Sequence, residues 1–109
     1  FHCSLMSTAQ KNMINLISEL NIKKPTVPLI SNITSIPTQK IEEIRKNLIN
    51  QITGRVRWRE SILFMENSGI QKVYEIGPGR VLCNLIRRIS DKVEQENISK
   101  VEDLFKLGN

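Results

Sequence analysis

The chain has 109 residues, 39% hydrophobic and 25% charged, the composition of an ordinary small soluble domain. Sixteen Lys and Arg against eleven Asp and Glu give a net charge of +5, with a cationic stretch between Arg45 and Arg88 that favours acidic partners. There is no zinc-ligand spacing around Cys3 and Cys83, no Arg/Gly-rich tract and no apolar run long enough to span a bilayer. Neither a nucleic acid nor a membrane is therefore expected as a partner, and a cytoplasmic location is expected.

Apolar residues at Met6, Ala9, Met13, Leu16, Ile17 and Leu20 recur at three- and four-residue steps, which predicts an amphipathic helix over 4–20 with both methionines filling the core. His2 precedes its first turn. Pro25 and Pro28 exclude a helix interior, and Leu29-Ile30 running into Ser31-Asn32 reads as a short strand that empties into a loop. Thr38 is the expected N-cap of a second helix carrying Ile41, Ile44, Leu48 and Ile52 on one face and closed by Gly54.

A third helix is predicted from Trp58 to Asn67, with Trp58, Ile62 and Met65 on one face and Ser68-Gly69 as its stop. Val73 to Ile76 reads as a strand, and Gly77-Pro78-Gly79 leads into a helix with Leu82, Leu85, Ile86 and Ile89 inward. The polar segment after Asp91 is expected to be a loop, followed by a terminal element over 101–107. Alternating helices and strands argue for an α/β fold, although two strands need more strands from elsewhere to make a stable sheet.

His2 is the chain's single histidine and its one side chain that ordinarily titrates near neutral pH. By itself it is more often a solvated bystander than a base. No serine lies in a Gly-x-Ser-x-Gly elbow, so no nucleophile of that type is present. Gly77-Pro78-Gly79 offers backbone N–H groups to an anion but lacks the dinucleotide and P-loop patterns, and a tight turn is the plainer reading. Arg55, Arg57, Arg59, Arg80, Arg87 and Arg88 form either a docking surface or simply solvated helix faces.

Phe1-His2, Leu5-Met6, Pro28-Leu29-Ile30-Ser31-Asn32 and Gln51 occur in an order and at separations that resemble the malonyl-CoA:acyl carrier protein transacylases. Val56-Arg57-Trp58 with Glu60-Ser61-Ile62, and Glu75-Ile76-Gly77-Pro78-Gly79 with Val81-Leu82, extend that resemblance to about Ile89. It implies the C-terminal part of the α/β-hydrolase-like large subdomain of an acyl transferase, a single partial domain over 1–109, with the ferredoxin-like subdomain absent.

The resemblance further implies that His2 is the catalytic base and that the backbone carbonyl of Gln51 orients it by accepting its second ring N–H. The serine nucleophile and the arginine that pairs with the malonyl carboxylate have no counterpart in the chain, which is expected to be inactive alone. The implied substrates are malonyl-CoA and phosphopantetheinylated acyl carrier protein, an acidic partner suited to the basic helices, with no bound cofactor and no metal. Phe1 before the histidine points to malonyl rather than methylmalonyl. Two other readings remain open: an acyl transferase module of a polyketide-type synthase, and a non-catalytic basic module that binds an acidic protein.

Overall fold

The computed structural model describes residues 7–108, so the expectations for His2, Cys3 and Met6 lie outside the described residues. The chain divides after Ser61 into two compact units.

In the first unit, helix α1 spans Thr8–Glu19. Ser7 and Gln10 close a capping box: the Ser7 hydroxyl accepts from Gln10 N and the Gln10 side chain accepts from Ser7 N, satisfying two donors that a helix start leaves free. The expected core face is corrected, because Met13 and Leu16 are exposed while Ile17 is buried. Strand β1 (Leu29–Ile30) pairs antiparallel with β2 (Pro37–Thr38), and helix α2 (Ile41–Gln51) follows with Ile44 buried.

Thr38 is not the N-cap; that position is Lys40. Thr38 sits in β2 instead, where its hydroxyl donates to Glu43 Oε2 at 2.5 Å and accepts from Lys40 N at 3.1 Å. Pairing with β1 holds Thr38 in the strand, so its hydroxyl serves the turn ahead of the helix. Arg45, on α2, spans to α1: its Nη1 donates to the carbonyls of Ile17 and Leu20 at 2.8 Å each and of Ser18 at 3.3 Å. Helix ends leave such carbonyls without partners, and the guanidinium supplies them.

Helix α3 (Trp58–Asn67) begins in the first unit and continues into the second, with Ser61 and Ile62 buried. Gly69 follows at φ 90°, the left-handed stop that glycine adopts without steric cost.

The second unit is a βαβ motif. Strands β3 (Lys72–Ile76) and β4 (Glu94–Ile98) run parallel, Lys72 opposite Glu94 and Ile76 opposite Ile98, joined by helix α4 (Val81–Ile89). The segment after Asp91 is thus a strand where a loop was expected. Glu-Gln-Glu-Asn has little strand propensity, and backbone pairing with β3 outweighs it. The inward face of α4 also differs from expectation: Cys83 and Ile86 are buried, Ile89 is half-buried, and Leu82 and Leu85 are exposed. The five-residue α5 (Val101–Phe105) and a short 3-10 turn (Lys106–Gly108) end the described chain. No helix among the described residues is long and apolar enough to cross a membrane.

Candidate functional site

The chemistry-bearing part of the first unit is the loop after β1. Ser35 holds a left-handed backbone at φ 57°, the sole non-glycine residue to do so among those described. Its amide donates to Ser31 O at 2.9 Å, while its hydroxyl donates to Arg57 O at 2.8 Å and lies 2.9 Å from the buried Ser61 hydroxyl. Arg57 N donates to Asn32 O at 2.6 Å. Loop 31–35 is therefore stapled to the start of α3, and the backbone of Ser31-Asn32 is held in place.

Gln51 lies in the last turn of α2, half-buried, and shares a cleft of about 180 Å³ with Ser31, Asn32, Ile44 and Asn47. The two sequence blocks that carried the expectation, Pro28 to Asn32 and Gln51, thus meet in one place. Gly54 keeps the adjoining chain close: a Cβ there would meet the Ile33 side chain and lie 2.7 Å from Asn50 O. His2, the other half of the expected pair, lies outside the described residues.

In the second unit the Gly77-Pro78-Gly79 turn is not an open anion site. Glu75 Oε2 accepts from Leu82 N and Oε1 from Cys83 N, both at 3.1 Å, so a carboxylate of the chain itself occupies the start of α4. Partial burial opposes ionisation of Glu75, but the hydrogen bonds from Cys83 and Leu82, helped by Arg80, prevail and hold its carboxyl below the ordinary range. Burial, followed by the Glu75 contact, pushes the Cys83 thiol up, which makes it a neutral, unreactive core group. Asn97 Nδ2 donates to the carbonyls of Glu75 and Gly77 at 3.2 and 3.0 Å, fixing the entry to the turn.

Sequence reading missed these roles of Glu75 and Asn97. A glutamate a few residues ahead of a predicted helix start was the available signal for the first; the second depends on β4, which was not expected.

The cationic stretch divides by role. Arg45 is half-buried and structural, whereas Arg55, Arg57 and Arg59 in the first unit and Arg80, Arg87 and Arg88 in the second are exposed. No group of three or more His, Cys, Asp or Glu side chains able to hold a metal is found among the described residues.

No protein-family model matches the chain. It is 34% identical over 107 residues to the malonyl CoA-acyl carrier protein transacylase of Synechocystis, an alignment covering 98% of this chain and 36% of that protein. Its backbone superposes on an acyl-carrier-protein-S-malonyltransferase from Bartonella henselae with a TM-score of 0.88 and 38% identity, over 98% of this chain and 34% of the other. A malonyl-transacylase solved in complex with a type II polyketide synthase acyl-carrier protein matches with a TM-score of 0.84 and 30% identity, over 99% of this chain and 36% of the other. The chain is a relative of the malonyl CoA-acyl carrier protein transacylases, matching about a third of their length in sequence and in backbone.

Proposed function

We propose that the chain is the part of a malonyl-CoA:acyl carrier protein transacylase that carries the catalytic base, and that it works in fatty acid biosynthesis in the cytoplasm. The observation that carries this reading is 34% identity over nearly the whole chain to a malonyl CoA-acyl carrier protein transacylase. In this reading residues 1–109 form the C-terminal part of the α/β-hydrolase-like subdomain, and the ferredoxin-like subdomain and the serine nucleophile lie outside these 109 residues. The exposure of Tyr74 and Ile76 on β3 supports it, since parallel strands are normally covered on both faces.

His2 is the base. Its Nε2 takes the proton of the serine hydroxyl as that oxygen attacks the malonyl thioester; the carbon–sulfur bond breaks, and the departing thiolate of coenzyme A recovers the proton. The thiol of the carrier protein's arm then gives its proton to His2, its sulfur attacks the malonyl-serine ester, and the serine oxygen leaves with the proton. The Gln51 carbonyl accepts the Nδ1–H, selecting the tautomer that leaves Nε2 free. No bound cofactor takes part.

The likeness to a polyketide-associated malonyl-transacylase favours one second reading, in which the carrier protein belongs to a polyketide synthase. Both readings are tested with a chimaera in which this chain replaces the matching third of the Synechocystis relative. The chimaera should transfer malonyl from coenzyme A to a holo-carrier protein, and preference between the two carrier types decides between the readings. A folded chimaera without transfer overturns both. The 109-residue chain alone should show no stable acylation by malonyl-CoA; covalent labelling of it contradicts the assignment of the nucleophile elsewhere.

A further inference from the structure

Strands β3 and β4 present unlike edges. Glu94 N donates to Gln71 O and Gly77 N to Ile98 O, both at 2.9 Å, so in this parallel ladder the backbone groups of Gln71, Val73, Glu75 and Gly77 turn toward β4. Those of Lys72, Tyr74 and Ile76 turn the other way. There the sheet, two-stranded among the described residues, ends in a row of unpaired backbone donors and acceptors. On β4 the same alternation turns Val93, Gln95 and Asn97 outward.

The composition of the two strands decides which edge takes a further strand. β4 reads Glu-Gln-Glu-Asn-Ile, poor in strand-forming residues and charged as natural edge strands are. β3 reads Lys-Val-Tyr-Glu-Ile, with the β-branched and aromatic residues of an interior strand. Its two faces agree. α4 starts on the Glu75 carboxylate, on one side of the sheet, whereas Tyr74 and Ile76 lie on the opposite side and are 46% and 73% exposed. The Lys72 ammonium lies 5.2 Å from the Tyr74 ring centroid and 3.3 Å from Glu96, so the bare apolar surface is at the Tyr74–Ile76 end of the strand. A two-stranded parallel sheet open on one face is incomplete by itself. About two-thirds of the length of the Synechocystis transacylase lies outside the aligned region and is available to complete it.

We infer that the outer edge of β3 docks a parallel strand from the part of the transacylase outside residues 1–109, and that this pairing assembles the two parts even as separate polypeptides. The inference rests on the proposed function and gives it an assembly surface. Backbone pairing along Lys72, Tyr74 and Ile76 supplies affinity, and the Tyr74 and Ile76 side chains select a strand that is apolar on the face it shares with them.

The test is co-expression of the 109-residue chain with the Synechocystis relative lacking its matching third. The two should co-purify and transfer malonyl from coenzyme A to a holo-carrier protein, as the covalent chimaera does. Tyr74→Pro removes an N–H at the outer edge while leaving the ladder to β4 intact. It strands a carbonyl of the incoming strand without a donor, so association should weaken about tenfold to a hundredfold. Tyr74→Ala keeps that N–H and should weaken association less than Tyr74→Pro. Gln95→Pro removes an N–H at the outer edge of β4 instead, and association should stay within about twofold of the unsubstituted chain. Amide exchange of Val73 and Glu75 reports whether the ladder survives; where Tyr74→Pro breaks it, Ile76→Pro, which removes the next outward N–H, takes its place.

Separate parts that fail to co-purify although the covalent chimaera is active overturn the inference and leave the proposed function standing. Equal weakening by Tyr74→Pro and Gln95→Pro also overturns it. A 109-residue chain that forms dimers broken by Tyr74→Pro, and that does not bind the truncated relative, assigns the edge to a second copy and overturns it likewise. A folded but inactive covalent chimaera strikes the proposed function itself.

Discussion

Glu75 at the end of β3 and Cys83 in the first turn of α4 are joined by a hydrogen bond from the Cys83 amide to Glu75 Oε1, while Oε2 takes the amide of Leu82. A single carboxylate thereby satisfies two of the free donors at the helix start and fixes the Gly77-Pro78-Gly79 turn between them. Because these bonds hold the folded carboxyl below its ordinary value of 4.5, the stabilisation is fully present above that value. It is lost as pH falls through the lowered folded value. Glu75→Gln should therefore lower the denaturation midpoint at neutral pH and narrow the gap to the unsubstituted chain as pH drops below 4.5. A gap independent of pH would contradict the assigned role of the charge.

Arg45 bridges α2 to the last carbonyls of α1. Arg45→Met keeps most of the aliphatic stem and removes the donors. Hydrogen bonds from a charged donor contribute more than neutral ones, so the change should cost about 2 kcal/mol in denaturant unfolding. It should also accelerate amide exchange in the last turn of α1 before the rest of the unit; uniform loss of protection would show that the bridge does more than cap that helix.

The helices were legible because each carries its own period. α2, α3 and α4 appear where Ile41 to Ile52, Trp58 to Met65 and Leu82 to Ile89 repeat, and β3 follows from the apolar run at Val73 to Ile76. The two strands that escaped reading, β2 and β4, owe their form to a partner: Pro37-Thr38 faces Leu29-Ile30, and Glu94 to Ile98 faces Lys72 to Ile76. Nothing local in Glu-Gln-Glu-Asn announces a strand. The face of α4 was misjudged for a similar reason, since a small residue, Cys83, takes the buried position and leaves Leu82 and Leu85 outside. At the candidate site, Gln51 and Ser31-Asn32 were identified by resemblance and do share a cleft, but Asn47 and the staple through Ser35 required coordinates.

Ser35 combines two opposing terms. Its left-handed backbone is unfavourable for a residue with a Cβ, and its hydroxyl contacts to Arg57 O and Ser61 Oγ offset that. Ser35→Ala retains the backbone strain and loses the hydroxyl contacts, which should destabilise the first unit by about 1–2 kcal/mol. Ser35→Gly loses the same contacts but relieves about 1 kcal/mol of strain. The alanine variant should therefore unfold at lower denaturant than the glycine variant, and the reverse order would show that glycine's greater unfolded-chain entropy outweighs the strain at this position.

Arg57 and Arg88 are exposed, so a carrier protein bearing negative charge has access to either. Reversal to Glu at each site in the chimaera should raise the carrier-protein KM and make it less sensitive to salt, without slowing malonyl loading from coenzyme A. Equal slowing of both half-reactions would point to a structural defect.

His2 and Gln51 are predicted to respond very differently to alanine, because in the proposed mechanism one acts through its side chain and the other through its backbone. His2→Ala removes the proton acceptor for both half-reactions, and general-base contributions are typically 10²–10⁴-fold, so transfer in the chimaera should fall by about that factor. Gln51→Ala keeps the carbonyl in the last turn of α2, and alanine is the most favourable helix residue, so both the acceptor and its placement should persist. Turnover of that variant should stay within about threefold of the unsubstituted chimaera, since what remains to lose is a side-chain contact. The pH profile separates the roles further. The acid limb set by the imidazole should survive Gln51→Ala and vanish in His2→Ala. A Gln51→Ala variant as inactive as His2→Ala would move the function of Gln51 from its carbonyl to its carboxamide.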